Sequence, residues 1–177
     1  MGGTMKIAIA GGGIVGLTLA RLLRARGFEP MVFERMPAGV YQRRGYMMGF
    51  QAYPPLQELG VFDKLKPEGR EIAPGGGGGG EAVAICIEVG KLINALAEGV
   101  PVEYETTVTG LRRDDTGRII GVTVQGPDPA AAPAGAAPDA EYGKREAQLI
   151  GGVVREDTAE NVPGVEVREV DCDLVVA

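Results

Sequence analysis

Histidine is absent from the 177-residue chain. This chain therefore offers no imidazole general base, no histidine-containing triad and no histidine-ligated metal. Cysteine is nearly as scarce. Cys86 and Cys172 are the two present, with neither metal-ligand nor redox spacing, and they read as buried thiols in a reducing cytoplasm. Runs of lysine or arginine are missing, and the net charge is −6, which argues against a nucleic-acid partner. No apolar run approaches the length of a membrane span, and no signal-peptide pattern opens the chain. These absences point to a cytoplasmic chain without a membrane partner. The length suits one domain with its own core and is short for a two-domain enzyme.

Glycine, by contrast, is abundant, with 29 residues, and its most informative cluster lies near the start. Met1 to Thr4 read as a flexible lead or a cloning remnant. Ile7-Ala8-Ile9-Ala10 is then long enough for a buried parallel strand. Gly11, Gly13 and Gly16 follow in G-x-G-x-x-G spacing. The next segment has helical periodicity, with Val15, Leu19, Leu22 and Leu23 on one face and Arg21, Arg24 and Arg26 off it. Gly27 suits a left-handed cap and Pro30 bars continuation. A second apolar strand, Met31-Val32-Phe33, delivers Glu34 at its end.

Each of these residue types has a physical task. Gly11 permits a tight turn, Gly13 lets a pyrophosphate approach bare backbone, and Gly16 lets the helix pack close to the sheet. The helix N-terminus presents unpaired N–H groups and a partial positive charge to phosphates. Glu34 is spaced to accept hydrogen bonds from both hydroxyls of an adenosine ribose. A negative charge there disfavours NADP but does not separate NAD from FAD.

The pattern continues through Gly16-Leu17-Thr18-Leu19-Ala20 and closes on Phe33-Glu34-Arg35. It resembles the N-terminus of FAD-dependent monooxygenases of the p-hydroxybenzoate hydroxylase type. Related FAD oxidoreductases such as geranylgeranyl reductases share it, and NAD dehydrogenases carry a similar fingerprint. The resemblance implies a cofactor-binding set of Gly11, Gly12, Gly13, Ile14, Val15, Gly16, Glu34 and Arg35. It adds Arg44 toward the flavin's linker and Val108 toward the adenine; a solvated surface arginine is the equal alternative for Arg44. No catalytic residue and no metal site is assigned. In that family NAD(P)H supplies electrons, oxygen is the oxidant, and an aromatic or polyketide-like substrate is hydroxylated.

Downstream, Pro54 to Lys66 reads as a short helix, a stop at Gly60 and a further helical turn. Leu59-Gly60-Val61-Phe62-Asp63 is similar to the family's ending of this helix. Six consecutive glycines, Gly75 to Gly80, form a flexible linker, because each would lose too much backbone entropy in an ordered element. Ala82 to Ile87 reads as a strand and Val89 to Glu98 as a helix with Leu92, Ile93 and Leu96 inward. The resembling family carries an arginine where this chain has Val89, which removes one cation expected near the pyrophosphate. Pro101-Val102-Glu103-Tyr104 gives a further strand.

Thr107 to Arg112 and Ile119 to Val124 alternate as a hairpin across Asp114-Asp115-Thr116-Gly117. Residues 125–139 form an Ala/Pro/Gly tract too poor in large apolar residues to pack. Further β segments are expected at 147–154 and 165–168, and Asp171 to Ala177 as a buried parallel strand.

The expected architecture is one α/β, Rossmann-like FAD-binding domain, with a parallel central sheet near Ile7, Val32, Val102 and Val175 and an added antiparallel β-meander. The expected function is that of the FAD-binding domain of a flavin-dependent monooxygenase or oxidoreductase, shortened and incomplete for catalysis alone. FAD is the expected partner, with a small-molecule substrate only where a substrate domain is supplied. The alternative is a non-catalytic or engineered minimal module that binds FAD or NAD.

Overall fold

The computed structural model describes residues 4–39, 45–72, 84–127 and 166–177. At its centre is a four-stranded parallel sheet in the order β10-β1-β2-β6. Its strands are β1 (Lys6–Ala10), β2 (Glu29–Phe33), β6 (Val102–Glu103) and β10 (Leu174–Val176). Ile7 pairs with Leu174 on one side of β1 and with Pro30 on the other, and Val32 pairs with Val102. The parallel architecture expected from the sequence is thus present. The last strand differs in one respect: β10 is an edge strand, so Leu174 is exposed rather than buried.

The period-two pleat sends alternate residues to the two faces of this sheet. Ile7, Ile9 and Val32 face α1 (Ile14–Ala25) and α4 (Val89–Ala97), forming one core with Leu17, Leu92 and Leu96. Ala8 and Phe33 face the opposite way, against Val122, Val124 and Cys172. Both faces are covered, as a parallel sheet requires.

Helix α1 buries Leu17 and Ala20, with Ile14, Leu19 and Leu23 packed alongside. The buried face is therefore rotated from the expected one. Val15 is 82 % exposed, and Arg21 turns inward to donate to the Ala95 carbonyl on α4 at 2.6 Å. Gly27, at φ +84°, ends the helix. Its N–H donates to Arg24 O and that of Phe28 to Leu23 O, the doubly bonded Schellman arrangement.

On the helical side, α2 (Tyr53–Glu58) and α3 (Val61–Leu65) flank Gly60 at φ +66°, matching the helix-stop-helix reading. Three further strands build an antiparallel sheet. They are β3 (Gly45–Gly49), β4 (Arg70–Ile72) and β5 (Ala84–Glu88), in the order β3-β5-β4. The strand read at Ala82 to Ile87 is one of them, with residues 82 and 83 outside the described residues; the other two and the pairing were not anticipated from the sequence. On β5 the pleat buries Ile85 and Ile87 and turns Cys86 to the other face, so that thiol is half-buried; Cys172 is buried as expected.

The meander is present. β7 (Thr107–Arg113), β8 (Ile119–Gly126) and β9 (Glu166–Asp171) pair antiparallel in that order. Because Gln125 and Gly126 pair with Val167 and Glu166, β8 runs into the stretch expected to be loop. Gly75–Gly80, residues 128–139 and the segment at 147–154 lie outside the described residues. Across the layers, Arg168 on β9 reaches Glu103 on β6 in an ion pair whose side chains are about three-quarters or more buried. Among the described residues no helix is long and apolar enough to cross a membrane.

Candidate functional site

The sequence cluster around Gly11 folds into a turn between β1 and α1. Gly11 sits at φ +113°, a backbone angle that side-chain-bearing residues rarely adopt. Its N–H donates to Phe33 O at 2.8 Å, which ties the turn to the end of β2. The other glycines meet different surroundings. A Cβ on Gly16 would lie 2.0 Å from the Gly11 carbonyl oxygen, so only glycine lets the helix start this close to the turn. A Cβ on Gly13 would meet nothing within 4 Å. Gly13 therefore leaves its backbone accessible from outside.

Helix α1 starts without help from side chains. Gly13 is its N-cap, no side chain caps it, and no acid occupies its first turn. The first-turn N–H groups and the positive end of the helix dipole are left for an external anion.

Glu34 is 6 % exposed, and all its polar groups are engaged. Its Oε2 accepts from Gly12 N–H at 2.6 Å and its Oε1 from Met36 N–H at 2.8 Å. Its own N–H donates to Glu103 O, and its carbonyl accepts from Thr106 N–H. A Cβ on Gly12 would fall 2.8 Å from Glu34 Cβ. The residue between the first two motif glycines is thus itself held to glycine size by the acid.

Two cavities meet at Ala10 and Gly11. One, of about 360 Å³, is lined by Phe33, Glu34, Arg35, Thr106, Thr107 and Val108. The other, of about 460 Å³, is lined by Ile9, Gly13, Ile14, Val15, Gly16, Leu19, Tyr46, Val176 and Ala177. The fold brings Glu34, Arg35 and Val108 together at one end of a groove. It brings Gly13 to Gly16 to the other, with Gly11 between. The β7–β8 register shifts at Thr109, just after Val108, where a bulge locally bends the strand. Arg44 lies outside the described residues. Val89, at the start of α4, packs against the main core and supplies no cation.

Several lining residues were missed from sequence. Thr106 and Thr107 adjoin Val108 and could have been named with it, since a strand's first residues enter the same loop. Tyr46 carried no signal, because the β3–β5 pairing that places it was not legible. Near Glu34, burial and then the Glu34 charge push the Tyr104 phenol above its ordinary value. Among the described residues no group of three or more Cys, Asp or Glu side chains could hold a metal.

The groove runs from an acid and an exposed arginine at one end, past Gly11, to glycine backbone and an apolar cavity at the other, on a parallel sheet with a glycine turn between β1 and α1. This defines a Rossmann-type dinucleotide-binding domain. Residues 4–85 match the family model described as FAD binding domain. Over that stretch the chain is similar to FAD-binding domains. Over 65 residues it is 40 % identical to 3-amino-4-hydroxybenzoate 2-monooxygenase of Streptomyces cremeus, covering 37 % of this chain and 16 % of that protein. Over 71 residues it is 39 % identical to the aurachin C monooxygenase/isomerase of Stigmatella aurantiaca, covering 40 % and 18 %. The aligned stretches thus span under a fifth of either relative. Among solved structures, the Diels-Alderase PyrE3 of pyrroindomycin biosynthesis superposes with a TM-score of 0.54 at 26 % identity, over 68 % of this chain and 29 % of that one. THI4 of Thermovibrio ammonificans superposes over 97 % of this chain and 55 % of its own, with a TM-score of 0.56 at 16 % identity, a likeness of fold alone.

Proposed function

We propose that this chain supplies the FAD-binding part of a flavin-dependent hydroxylation driven by NAD(P)H and oxygen, acting on an aromatic or polyketide-like compound. The observation that carries the proposal is the shared groove, in which the Glu34 carboxylate and the open backbone of Gly13 are joined through Gly11. The names of the two monooxygenase relatives support the reaction class.

In this reading Glu34 receives the adenosine ribose, and Arg35 and Val108 flank the adenine end. Gly11 to Gly16 and the first turn of α1 receive the pyrophosphate. The apolar walls from Ile14 to Val176 take the flavin half. Bound FAD supplies electron transfer and oxygen activation, and these residues bind and orient it. No side chain of the described groove is assigned a proton-transfer role.

The test is the visible absorption spectrum of the purified chain before and after incubation with FAD and desalting. The expected outcome is flavin absorbance that persists through desalting and that excess NAD does not displace. A colourless chain that also fails to hold added FAD would refute it.

A further inference from the structure

The groove's acid does more in this structure than wait for a ribose. Each Glu34 carboxylate oxygen already accepts one backbone N–H, from Gly12 in the phosphate turn and from Met36 beyond β2. A carboxylate offers about four lone-pair positions, so these two bonds leave about two unused, on a residue that lines the smaller cavity. The backbone of the same residue bonds to Glu103 and Thr106. Besides its own strand exit at Met36, two distant stretches of chain, the turn at Gly12 and the segment from Glu103 to Thr106, therefore converge on one side chain and its peptide groups.

We propose that Glu34 is a positioning residue that holds the phosphate turn and the exit of β2 in their binding shape before any cofactor arrives. This deepens the FAD reading and rests on it for its purpose. The physical reason is that a glycine-rich turn is entropically costly to order, and Gly11, Gly12 and Gly13 are consecutive. Glu34 removes part of that cost in advance, which lowers the ordering cost of binding. It also keeps the buried carboxylate from standing unpaired when the site is empty.

The chemistry makes Glu34→Gln a discriminating variant. A glutamine side chain keeps the size but presents one acceptor oxygen and one NH₂ donor. It can serve Gly12 or Met36 but not both, and its NH₂ faces whichever N–H is left.

The experiment is amide hydrogen exchange, resolved by residue, on the ligand-free full chain and on E34Q. Losing a bond to a charged acceptor should speed exchange at Gly12 or Met36, or both, by roughly tenfold or more, with Ile9 and Val32 changing little. A residue that merely supported the fold would speed all of these amides together. A uniform change, or none at Gly12 and Met36, would overturn the proposal. If E34Q does not fold, the unsubstituted chain decides the matter. A cross-hydrogen-bond coupling between the Glu34 carboxyl carbon and the Gly12 or Met36 amide nitrogen supports it, and absence of both couplings overturns it. No cofactor is present in either measurement. A chain that discards FAD can still show the protected amides, and a chain that retains FAD can still lack them.

Discussion

Glycines of one motif behave differently because their surroundings differ, and this separates stability from binding at the level of single residues. Gly16→Ala would place a methyl group 2.0 Å from the Gly11 carbonyl oxygen, which belongs to backbone and cannot swing away. Thermal unfolding without ligand should show a loss of about 1–3 kcal/mol, the usual cost of forcing extra volume into a close contact. Gly13→Ala meets open space and sits at φ −75°, which alanine tolerates. Its unfolding loss should stay at or below about 1 kcal/mol, the scale of a weakened N-cap, and so below that of Gly16→Ala. Its affinity for FAD, followed by flavin fluorescence, should nonetheless fall by roughly tenfold, since 1.4 kcal/mol of lost backbone contact suffices. Equal melting losses in the two variants would contradict this division. The spacing in the sequence named Gly11, Gly13 and Gly16, because the turn and the approach are encoded locally. It gave no reason for Gly12, whose constraint comes from Glu34, 22 residues away.

Among the elements, the hairpin and the cross-layer ion pair have contrasting electrostatics. Asp114 at the turn accepts from Thr116 Oγ1 at 2.6 Å and from the N–H groups of Thr116 and Arg118. The Thr116 hydroxyl first, then these amides, hold its carboxyl below the ordinary aspartate value. A depressed folded value means that this contribution is fully present above the unfolded pKa. It is lost as pH falls through the folded one. Titration of the Asp114 carboxyl by NMR should therefore give a midpoint below that of a free aspartate; one at or above it would show that the turn does not hold the anion. The Arg168–Glu103 pair is more deeply placed and joins the meander to the parallel sheet. Glu103→Gln removes the counter-charge from a cation whose Nε already has no partner among the described residues. Denaturant unfolding should register a loss of roughly 1–2 kcal/mol, less than for a fully buried pair because both side chains keep some water. The hairpin was legible because turn chemistry and alternation are short-range signals. The ion pair was not, because it depends on β9 meeting β6 across the two layers.

For the whole molecule, the parallel sheet could be read from three apolar runs and a fingerprint. The sheet β3-β5-β4 could not, because β3 meets β5 by pairing residues 39 positions apart, Met47 with Cys86 for instance, while β4 pairs with β5 over the shorter span of Ile72 to Ala84. The unread β3 bears directly on chemistry, since it carries Tyr46 into the apolar end of the groove. Over the described residues this end is open: Val15 is 82 % exposed and Tyr46 38 %. Productive hydroxylation needs water kept away from the reacting centre, and the described residues at this end leave Val15 and Tyr46 exposed. With FAD and NADPH added, this chain should therefore consume oxygen and release hydrogen peroxide in near-equal amounts. Addition of an aromatic test compound should yield little hydroxylated product. The check is the ratio of peroxide to NADPH consumed, read beside product by chromatography. Product that tracks NADPH would mean that the groove excludes water despite its exposed rim, and would assign catalytic competence to this chain by itself.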